Sequence, residues 1–214
     1  MSGKMQELLR RLSDPDWDDM SDYVVHFTRK TPDNDAAHNM ENILLDGRIE
    51  ARTKYGVGRY YPSCPNSVCL SEVPTYQLSR INRRRGAYGI GFTKAFIGGL
   101  GGGPLFYLNG DRYDAIAALM KAAGNDPNAP VWKLVPYIDH VSNTHQFDWE
   151  REWRVPADVP LKRENIRFML IPESEHERFD AYRSRKHSEG LMPLYDCPLI
   201  DHRWPKERIR ECLG

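Results

Sequence analysis

The sequence predicts an α+β fold in a single domain, with a sheet of short, mostly antiparallel strands and flanking helices. Runs of β-branched and aromatic residues alternate irregularly with runs of helical spacing, whereas a parallel α/β sheet requires regular alternation. The chain has 214 residues, which is enough for one ample domain. No repeat, low-complexity linker or charge difference between the halves divides it. We therefore expect residues 1–214 to fold as one unit.

The first half of the chain is expected to hold strands and helices in turn after a helical opening segment. Asp35 is a good N-cap for the helix that follows it, and Gly47 is a good residue to end that helix. Pro74 suits the first turn of a basic helix. The expected elements are a strand at 23–28, a helix from 36 to Gly47, a loop at 53–66, a strand at 67–71, a helix at 75–85 and a strand at 87–92.

The second half begins with a turn of helix at 94–97 and a glycine-rich segment at 98–103, which we interpret as a mobile loop. Gly124 closes a helix whose apolar residues have clear helical spacing. The apolar run at 131–138 is compatible with either a strand or a helix. The remaining expected elements are strands at 105–108, 152–155, 166–171 and 192–195, and helices at 111–123, 173–186 and 206–212.

Composition excludes several classes of protein. Thirty Lys and Arg residues balance thirty Asp and Glu residues, and a nucleic-acid binder that works by bulk electrostatics would carry a basic excess. Four cysteines without a CxxC spacing predict neither a disulfide scaffold nor a zinc knuckle. No apolar run approaches the ~20 residues of a membrane helix, and no signal-peptide core is present. We expect a soluble, cytoplasmic protein without a membrane partner.

The balanced charge is nevertheless segregated along the chain. A basic cluster lies at the end of the helix expected at 75–85, and an acidic cluster lies at 148–152. Most basic runs of this kind are solvated helix faces. If the target is a nucleic acid, its backbone is expected to lie on this basic cluster, which consists of Arg80, Arg83, Arg84 and Arg85.

Two strand ends carry polar residues that suit sugar or phosphate recognition. His26 and Thr28 are two positions apart in an apolar strand, so that both side chains point to one face. The alternative for His26 is a hydrogen-bonded core histidine. Ser71 and Glu72 follow the strand at 67–71, where a hydroxyl can donate to a sugar and a carboxylate can accept from it. Their alternative is a solvated strand end before a helix.

Two sets of glycines predict close approach of another group. Gly89 and Gly91 alternate in one strand, which allows a ligand ring or another backbone to lie against it. The segment at 98–103 lacks the spacing of a dinucleotide fingerprint, and no P-loop lysine follows it. A phosphate-cradling role for this segment is the less favoured alternative to a mobile loop.

The segment at 146–154 concentrates acids between two tryptophans. Glu150 and Glu152 share one face if the segment is a strand, and Asp148 joins them if the strand begins early. Closely spaced carboxylates serve as general acid and base, as metal ligands or as anchors for a cationic centre. The alternative is an edge strand with surface ion pairs.

The order of these segments resembles a family of abortive phage-infection proteins (AbiGi-like), and is more distantly similar to the ADP-ribosyltransferase superfamily, in particular its DNA-targeting toxins. The resemblance spans about residues 22–172. It rests on His-Phe-Thr at 26–28, Ile-Leu-Leu-Asp-Gly at 43–47, Cys-Leu-Ser-Glu-Val-Pro at 69–74, Tyr-Gly-Ile-Gly-Phe at 88–92 and Glu-Arg-Glu-Trp-Arg at 150–154. It implies a split β-sandwich core at 22–172 with an NAD cleft between two small sheets. The resemblance leaves both ends uncovered, and we expect these ends to be helical extensions at 1–20 and 173–214.

The resemblance also implies a role for each matching residue, with NAD as the substrate and no metal. His26 matches the first-strand residue that holds the adenine-side ribose. Either Ser71 or Tyr88 fills the middle position, and both remain open. Glu152 matches the acid that grips the nicotinamide ribose and stabilises the transition state, with Glu150 as the paired acid two residues before it. Thr28 and Gly89 are expected to line the same NAD site.

Three functions follow from these observations, in order of preference. The first is an NAD-dependent ADP-ribosyltransferase-like enzyme, a toxin or phage-defence effector that modifies a protein or nucleic-acid acceptor. The second is a non-catalytic antitoxin or immunity-type protein of the same fold, which binds a cognate partner protein. The third is a metal-dependent nuclease that uses Asp148, Glu150 and His145.

Overall fold

The structure of the protein, a computed structural model, describes residues 21–72, 86–140 and 151–213. Within these residues the strands are β1 (Tyr23–Thr28), β2 (Arg48–Ile49), β3 (Val68–Ser71), β4 (Tyr88–Thr93), β5 (Gly103–Pro104), β6 (Phe106–Leu108), β7 (Ile138–His140), β8 (Glu152–Val155), β9 (Val159–Pro160), β10 (Phe168–Leu170) and β11 (Leu199–Ile200). The helices are α1 (Ala36–Asp46), α2 (Lys94–Gly99), α3 (Gly110–Ala123), α4 (His176–Ser188) and α5 (Lys206–Leu213). The helices expected at 1–20 and 75–85 lie outside the described residues.

Seven of these strands form one sheet in the order β11-β10-β4-β1-β3-β8-β5. The central strand β1 pairs with β4 along its whole length, from Tyr23 opposite Thr93 to Thr28 opposite Tyr88. All neighbours are antiparallel except β10 and β11. Two small sheets, β2 with β9 and β6 with β7, are separate from it. The described chain is therefore an α+β domain with a large, mostly antiparallel sheet and flanking helices, which confirms this part of the prediction.

One face of the seven-stranded sheet packs on the main hydrophobic core. Val24, Leu70 and Ile90 point to this face, and each is at most 1% exposed. Three helices supply the residues that cover them, namely Met40 and Leu44 from α1, Ile97 from α2 and Phe179 from α4. Burial of this apolar surface is the main force that holds the helices on the sheet.

The opposite face of the sheet has an apolar half and a polar half. Around β1, β4 and β10, the side chains of Val25, Phe168 and Leu170 pack against α5. Directly opposed residues in antiparallel strands share a face, and every second residue of a strand lies on the same face. By this rule, the residues of β3 and β8 on this face are polar. We call this polar half the β3–β8 face, and it consists of Cys69, Ser71, Glu152 and Arg154.

Local signals place several elements where the sequence predicts them. The Asp35 carboxylate accepts a hydrogen bond of 2.8 Å from the His38 backbone N–H and so caps α1. Gly47 has φ of 67° at the end of α1, which favours glycine. Gly124 closes α3 as expected. Among the described helices, none combines the length and the apolar character that a membrane span requires.

The sequence predicts a mobile loop at 98–103, but only part of this glycine-rich segment is a loop. Gly98 and Gly99 belong to α2, which begins where the Thr93 hydroxyl accepts a hydrogen bond from Phe96 N at 3.1 Å. Gly103 opens β5 and pairs with Arg154 at the sheet edge. Gly102 packs so closely that a Cβ would lie 2.9 Å from Val155. Close packing therefore explains the glycine at 102, whereas a Cβ at 98, 99 or 101 would meet nothing within 4 Å.

The strand expected at 192–195 is wrong. Met192 and Tyr195 are buried in the core, but the segment forms no strand, and the edge of β10 is occupied instead by β11 in parallel pairing. The region from 173 onward therefore contributes a sheet strand as well as helices. The ambiguous run at 131–138 forms two short 3-10 helices, Pro130–Lys133 and Val135–Tyr137, before β7 begins.

Candidate functional site

Three neighbouring strands carry the first and the last predicted site residues and one of the two candidates for the middle position. His26 lies on β1, Ser71 on β3 and Glu152 on β8, and β3 lies between the other two strands in the sheet. Ser71 is directly opposite Glu152, and on its other side it is opposite Val25. Opposed residues in antiparallel strands have Cβ atoms about 4.5–5.5 Å apart. The fold therefore brings Ser71 and Glu152 together.

The register places the predicted residues on two different faces. Val25 shares the face of Ser71, so its neighbour His26 points to the opposite face, where Thr28 and Tyr88 also lie. His26 and Thr28 do share a face, as their spacing predicts. Gly89 is opposite Phe27 and belongs to the face of Ser71 and Glu152. The structure thus brings Ser71 and Glu152 together, places Gly89 on the same face but two strands away from Ser71, and puts His26, Thr28 and Tyr88 on the opposite face.

His26 and Thr28 both bond to the backbone. The His26 ring shares a hydrogen bond of 2.9 Å between Nδ1 and the carbonyl oxygen of Cys69. Burial lowers the pKa of His26 below its ordinary value. The Thr28 hydroxyl is buried and donates to the Ala36 carbonyl at 2.8 Å, which ties the end of β1 to the start of α1. These contacts support the alternative that the sequence left open for His26, a hydrogen-bonded histidine of the fold.

Tyr88 is bound to a carboxylate on the core side of the sheet. Its hydroxyl donates to Glu175 Oε1, and the other oxygen of Glu175 accepts from Arg178 at 2.9 Å. Burial, and then the contact with Glu175, raises the pKa of Tyr88 above its ordinary value. Of the two residues proposed for the middle position, Ser71 is the one that faces Glu152.

The glycines of β4 are explained by protein groups. A Cβ on Gly91 would overlap the ring of Phe168, which lies directly opposite on β10. A Cβ on Gly89 would lie 2.7 Å from a methyl group of Val25. The close approach that these glycines predict is therefore real, and the ring that lies against Gly91 belongs to the protein itself.

A buried arginine organises the β3–β8 face. Arg154 has a side chain only 2% exposed, and its Nε donates to Glu152 Oε1 at 2.8 Å. Its Nη2 donates to Asp139 Oδ2 at 2.7 Å, and its Nη1 donates to the Pro136 carbonyl at 3.1 Å. The Tyr55 ring lies 5.3 Å from the guanidinium carbon. Burial of this cation is tolerated because it has two carboxylate partners and a carbonyl partner.

The electrostatics of the β3–β8 face follow from this arrangement. Burial alone would lower the pKa of Arg154, but Glu152, Cys69 and Asp139 together outweigh burial and raise it above the ordinary value. Burial, and then Glu152, also raises the pKa of the Cys69 thiol. A thiol of raised pKa stays protonated at neutral pH and is a poor nucleophile. The Cys69 thiol is therefore not a candidate nucleophile of this face.

The loop at 53–66 closes over Arg154. A Cβ on Gly56 would clash with the Ile138 carbonyl oxygen and would lie 2.7 Å from Arg154 Nη1. Gly56 also has φ of 72°, and Val57 N donates to the Ile138 carbonyl at 3.1 Å. Three residues here are not predicted from the sequence, namely Tyr55, Asp139 and Arg154. Only Arg154 carries a usable signal, because it is two residues after Glu152 on the same strand face.

Glu72 ties the end of β3 to its neighbours. It is 7% exposed, and its carboxylate accepts from Lys94 Nζ at 2.7 Å and from Trp153 Nε1 at 3.0 Å. Arg151 Nη1 is 3.7 Å from the same carboxylate, and the backbone of Arg151 has φ of 43°, an uncommon value for a residue with a side chain. Glu72 thus occupies an ion-pair network instead of the solvated strand end that the sequence allows.

Two cavities of about 380 Å³ lie away from Ser71 and Glu152. One is lined by polar and apolar residues near the C-terminal end, including Arg163, Arg167 and Cys212. The other is apolar and lies at the β5 edge, between the glycines at 101–103 and the side chains of Phe106, Leu134 and Tyr137. Its lining includes no charged side chain, so it does not suit a phosphate.

Several predicted residues lie outside the described residues. They are Glu150, with Asp148 and His145 of the nuclease hypothesis, and the basic cluster Arg80, Arg83, Arg84 and Arg85. In the part of the chain that the structure describes, no group of three or more His, Cys, Asp and Glu side chains is placed to hold a metal ion.

The β3–β8 face offers a serine hydroxyl opposite a carboxylate that a buried arginine holds by one oxygen. Such a pair can bond to sugar hydroxyls and can stabilise a positive charge that develops nearby. Comparison of the chain with protein-family models, with curated proteins and with solved structures finds no match.

Proposed function

We propose that this protein is an NAD-dependent ADP-ribosyltransferase-like enzyme, a toxin or phage-defence effector that modifies a macromolecule. The observation that supports the proposal is the pairing of Ser71 with Glu152 on adjacent strands, next to the first strand β1. The proposal includes the fold, in which the described sheets correspond to the split β-sandwich of that superfamily. It also includes the cytoplasm as the place of action.

The reaction assigned to this site replaces one bond to the ribose with another. The bond between C1′ of the ribose and the nicotinamide nitrogen breaks, and nicotinamide leaves with the electron pair. A nucleophile of the acceptor forms the new bond to C1′ and releases its proton. Positive charge develops on the sugar in between, and a preorganised carboxylate such as Glu152 contributes roughly 3–4 kcal/mol to its stabilisation.

The charges around Glu152 suit a cationic reacting group. Glu152 and Asp139 carry one negative charge each and share the single positive charge of Arg154, so the three residues together are negative. Arg154 bonds to one oxygen of Glu152, and a carboxylate has about four acceptor positions. Acceptor capacity therefore remains for a ribose hydroxyl, which Ser71 can orient from the opposite strand.

The experiment measures nicotinamide release from labelled NAD in the presence of separate protein, DNA and RNA pools. We expect wild-type protein to release nicotinamide and to label one pool. Glu152→Gln is expected to reduce the rate about 100- to 1000-fold while the protein stays folded. No release by the wild type, or undiminished release by Glu152→Gln, would contradict the proposal.

Glu41→Gln is the matched control for Glu152→Gln. Both side chains accept from an arginine at 2.8 Å, and their exposed fractions are 14% for Glu41 and 13% for Glu152. Glu41 is paired with Arg178 and does not belong to the β3–β8 face. Its substitution is expected to leave nicotinamide release within about twofold of wild type, because only an ion pair of the fold is lost.

One observation favours the second function, a non-catalytic antitoxin or immunity-type protein that binds a cognate partner. The Glu152 carboxylate already accepts from Arg154, and such an engaged acid suits a structural role. Calorimetry that finds no NAD binding, together with a stable protein partner in a pull-down, would support this alternative.

The nuclease hypothesis rests on Asp148, Glu150 and His145, and nicking of DNA or RNA that a chelator abolishes would support it.

A further inference from the structure

We propose that Asp139 is a positioning residue for Glu152 and that it acts through Arg154. The inference rests on the proposed function, because it assigns Glu152 the reacting role. Asp139 lies on β7, in a small sheet that is separate from the sheet of Glu152. It is 8% exposed and touches Glu152 only by way of the guanidinium between them.

Both oxygens of the Asp139 carboxylate are engaged, so its own orientation is fixed. Oδ1 accepts from the backbone N–H of His140 at 2.9 Å, and Oδ2 accepts from Arg154 Nη2 at 2.7 Å. The two bonds hold the carboxylate between the backbone of its own strand and a buried guanidinium. Asp139 is therefore a rigid support for the guanidinium and not a flexible counter-ion.

The guanidinium of Arg154 transmits this orientation because it is planar and rigid. Its Nη2 is held by Asp139, its Nη1 by the Pro136 carbonyl, and its Nε points to Glu152. The first two acceptors lie on the chain at 136–139, so that segment sets the plane from which Nε donates. Without the Asp139 carboxylate, Nη2 loses its acceptor and the guanidinium can rotate. The Glu152 oxygen that is bonded to Nε is then displaced with the guanidinium.

Displacement of a reacting carboxylate has a large effect on rate and a small effect on binding. A misplacement of about 1 Å lowers a rate about 100-fold, and loss of a supporting residue behind a reacting group typically lowers activity about 10- to 100-fold. Asn at position 139 has one acceptor oxygen for the two donors of His140 and Arg154, so one bond is lost. We therefore expect Asp139→Asn to lower kcat for nicotinamide release 10- to 100-fold, with KM within about threefold.

Asp201→Asn is the matched control. Asp201 is also buried, at 1% exposed, and it also pairs with an arginine, at 2.6 Å from Arg203 Nη2. It follows β11, which lies at the end of the sheet away from β8. Loss of a buried carboxylate destabilises both variants, although Arg203 itself is 62% exposed, and only Asp139→Asn is expected to lower kcat in folded protein. Assays are made at a temperature at which all three proteins are folded by circular dichroism.

A second readout does not depend on catalysis. The Arg154 Nε–H is buried and bonded to Glu152, so its proton is expected to exchange slowly with water in wild type and in Asp201→Asn. The exchange is measured on the nitrogen-15 NMR signal of Nε. In Asp139→Asn we expect that signal to shift and to exchange at least tenfold faster. Asp139→Glu keeps the negative charge, so we expect it to retain part of the wild-type kcat and part of the slow exchange of Arg154 Nε–H.

The outcomes separate the inference from the proposed function. A fall in kcat confined to Asp139→Asn, with faster exchange of Arg154 Nε–H, supports the positioning role. If wild-type protein releases no nicotinamide, the proposed function fails, and the exchange rate of Arg154 Nε–H alone decides the positioning. Unchanged kcat or unchanged exchange in folded Asp139→Asn overturns the inference, as does an equal loss of kcat in Asp201→Asn.

Discussion

Arg154 and Glu152 lie two residues apart on one face of β8, and Arg154 Nε donates a hydrogen bond of 2.8 Å to Glu152 Oε1. Asp139 accepts from the other side of the same guanidinium at 2.7 Å. The arginine is therefore the only cation in this network of three charges, and its side chain is 2% exposed. The orientation of the Glu152 carboxylate thus depends on a cation that is almost completely buried.

Arg154→Met is expected to lower the free energy of unfolding by about 3–5 kcal/mol, because it leaves two carboxylates with low exposure and without their cation. Urea denaturation followed by circular dichroism measures the loss. Arg163→Met is the control, since Arg163 and Asp196 are 65% and 66% exposed and lie 3.6 Å apart. We expect it to change stability by less than about 1 kcal/mol. Equal losses in the two variants would show that the Arg154 network is not a buried charge cluster.

Ser71→Ala and Tyr88→Phe distinguish the two residues that the sequence leaves open for the middle position. Ser71 faces Glu152, so loss of its hydroxyl is expected to lower kcat/KM for nicotinamide release about tenfold. Tyr88 donates to Glu175 on the other face, so Tyr88→Phe is expected to stay within twofold. Its effect is a loss of about 1–2 kcal/mol in unfolding free energy. The reverse pattern of activities would assign the middle position to Tyr88.

Local signals explain how much of the fold is predictable from the sequence. The helix α1 has its cap at Asp35 and its stop at Gly47, and both are visible in the sequence because they act on neighbouring residues. In contrast, β5 and β11 are strands of two residues that exist only because β8 and β10 offer an edge to pair with. Such pairing depends on residues that are far apart in the chain, so no local sequence pattern predicts these two strands.

The candidate site was predictable in its residue types and not in its geometry. Ser71 and Glu152 end up opposite each other, yet His26 points to the other face because the register of β1 against β3 pairs Val25 with Ser71. A shift of one residue in register would reverse this outcome, and the register is set by the apolar core, not by the site. Asp139 follows an ambiguous apolar run, so nothing in the sequence links it to Arg154.

Gly56→Ala tests whether the loop over Arg154 requires close packing. A Cβ there would clash with the Ile138 carbonyl in addition to the strain of φ at 72°, so we expect a loss of about 2–4 kcal/mol in unfolding free energy. Gly47→Ala is the matched control, because its φ is 67° and a Cβ would meet nothing within 4 Å. The control is expected to lose only about 1 kcal/mol. Equal losses would show that backbone conformation alone explains the glycine at 56.

His26 is expected to make the stability of the protein depend on pH. Burial lowers its pKa in the folded state, so at mildly acidic pH the unfolded chain binds a proton that folded His26 resists. This contribution is fully present above the unfolded pKa of about 6.5 and is lost as the pH falls below it, by at most about 1.4 kcal/mol per pH unit. His202 has a lowered pKa for the same reason and acts in the same direction.

Urea denaturation between pH 7.5 and 5 should therefore show a steeper loss of unfolding free energy for wild type than for His26→Gln. The glutamine cannot titrate but still offers a donor to the Cys69 carbonyl. Parallel pH dependence of the two proteins would mean that His26 is protonated equally well in the folded and unfolded states.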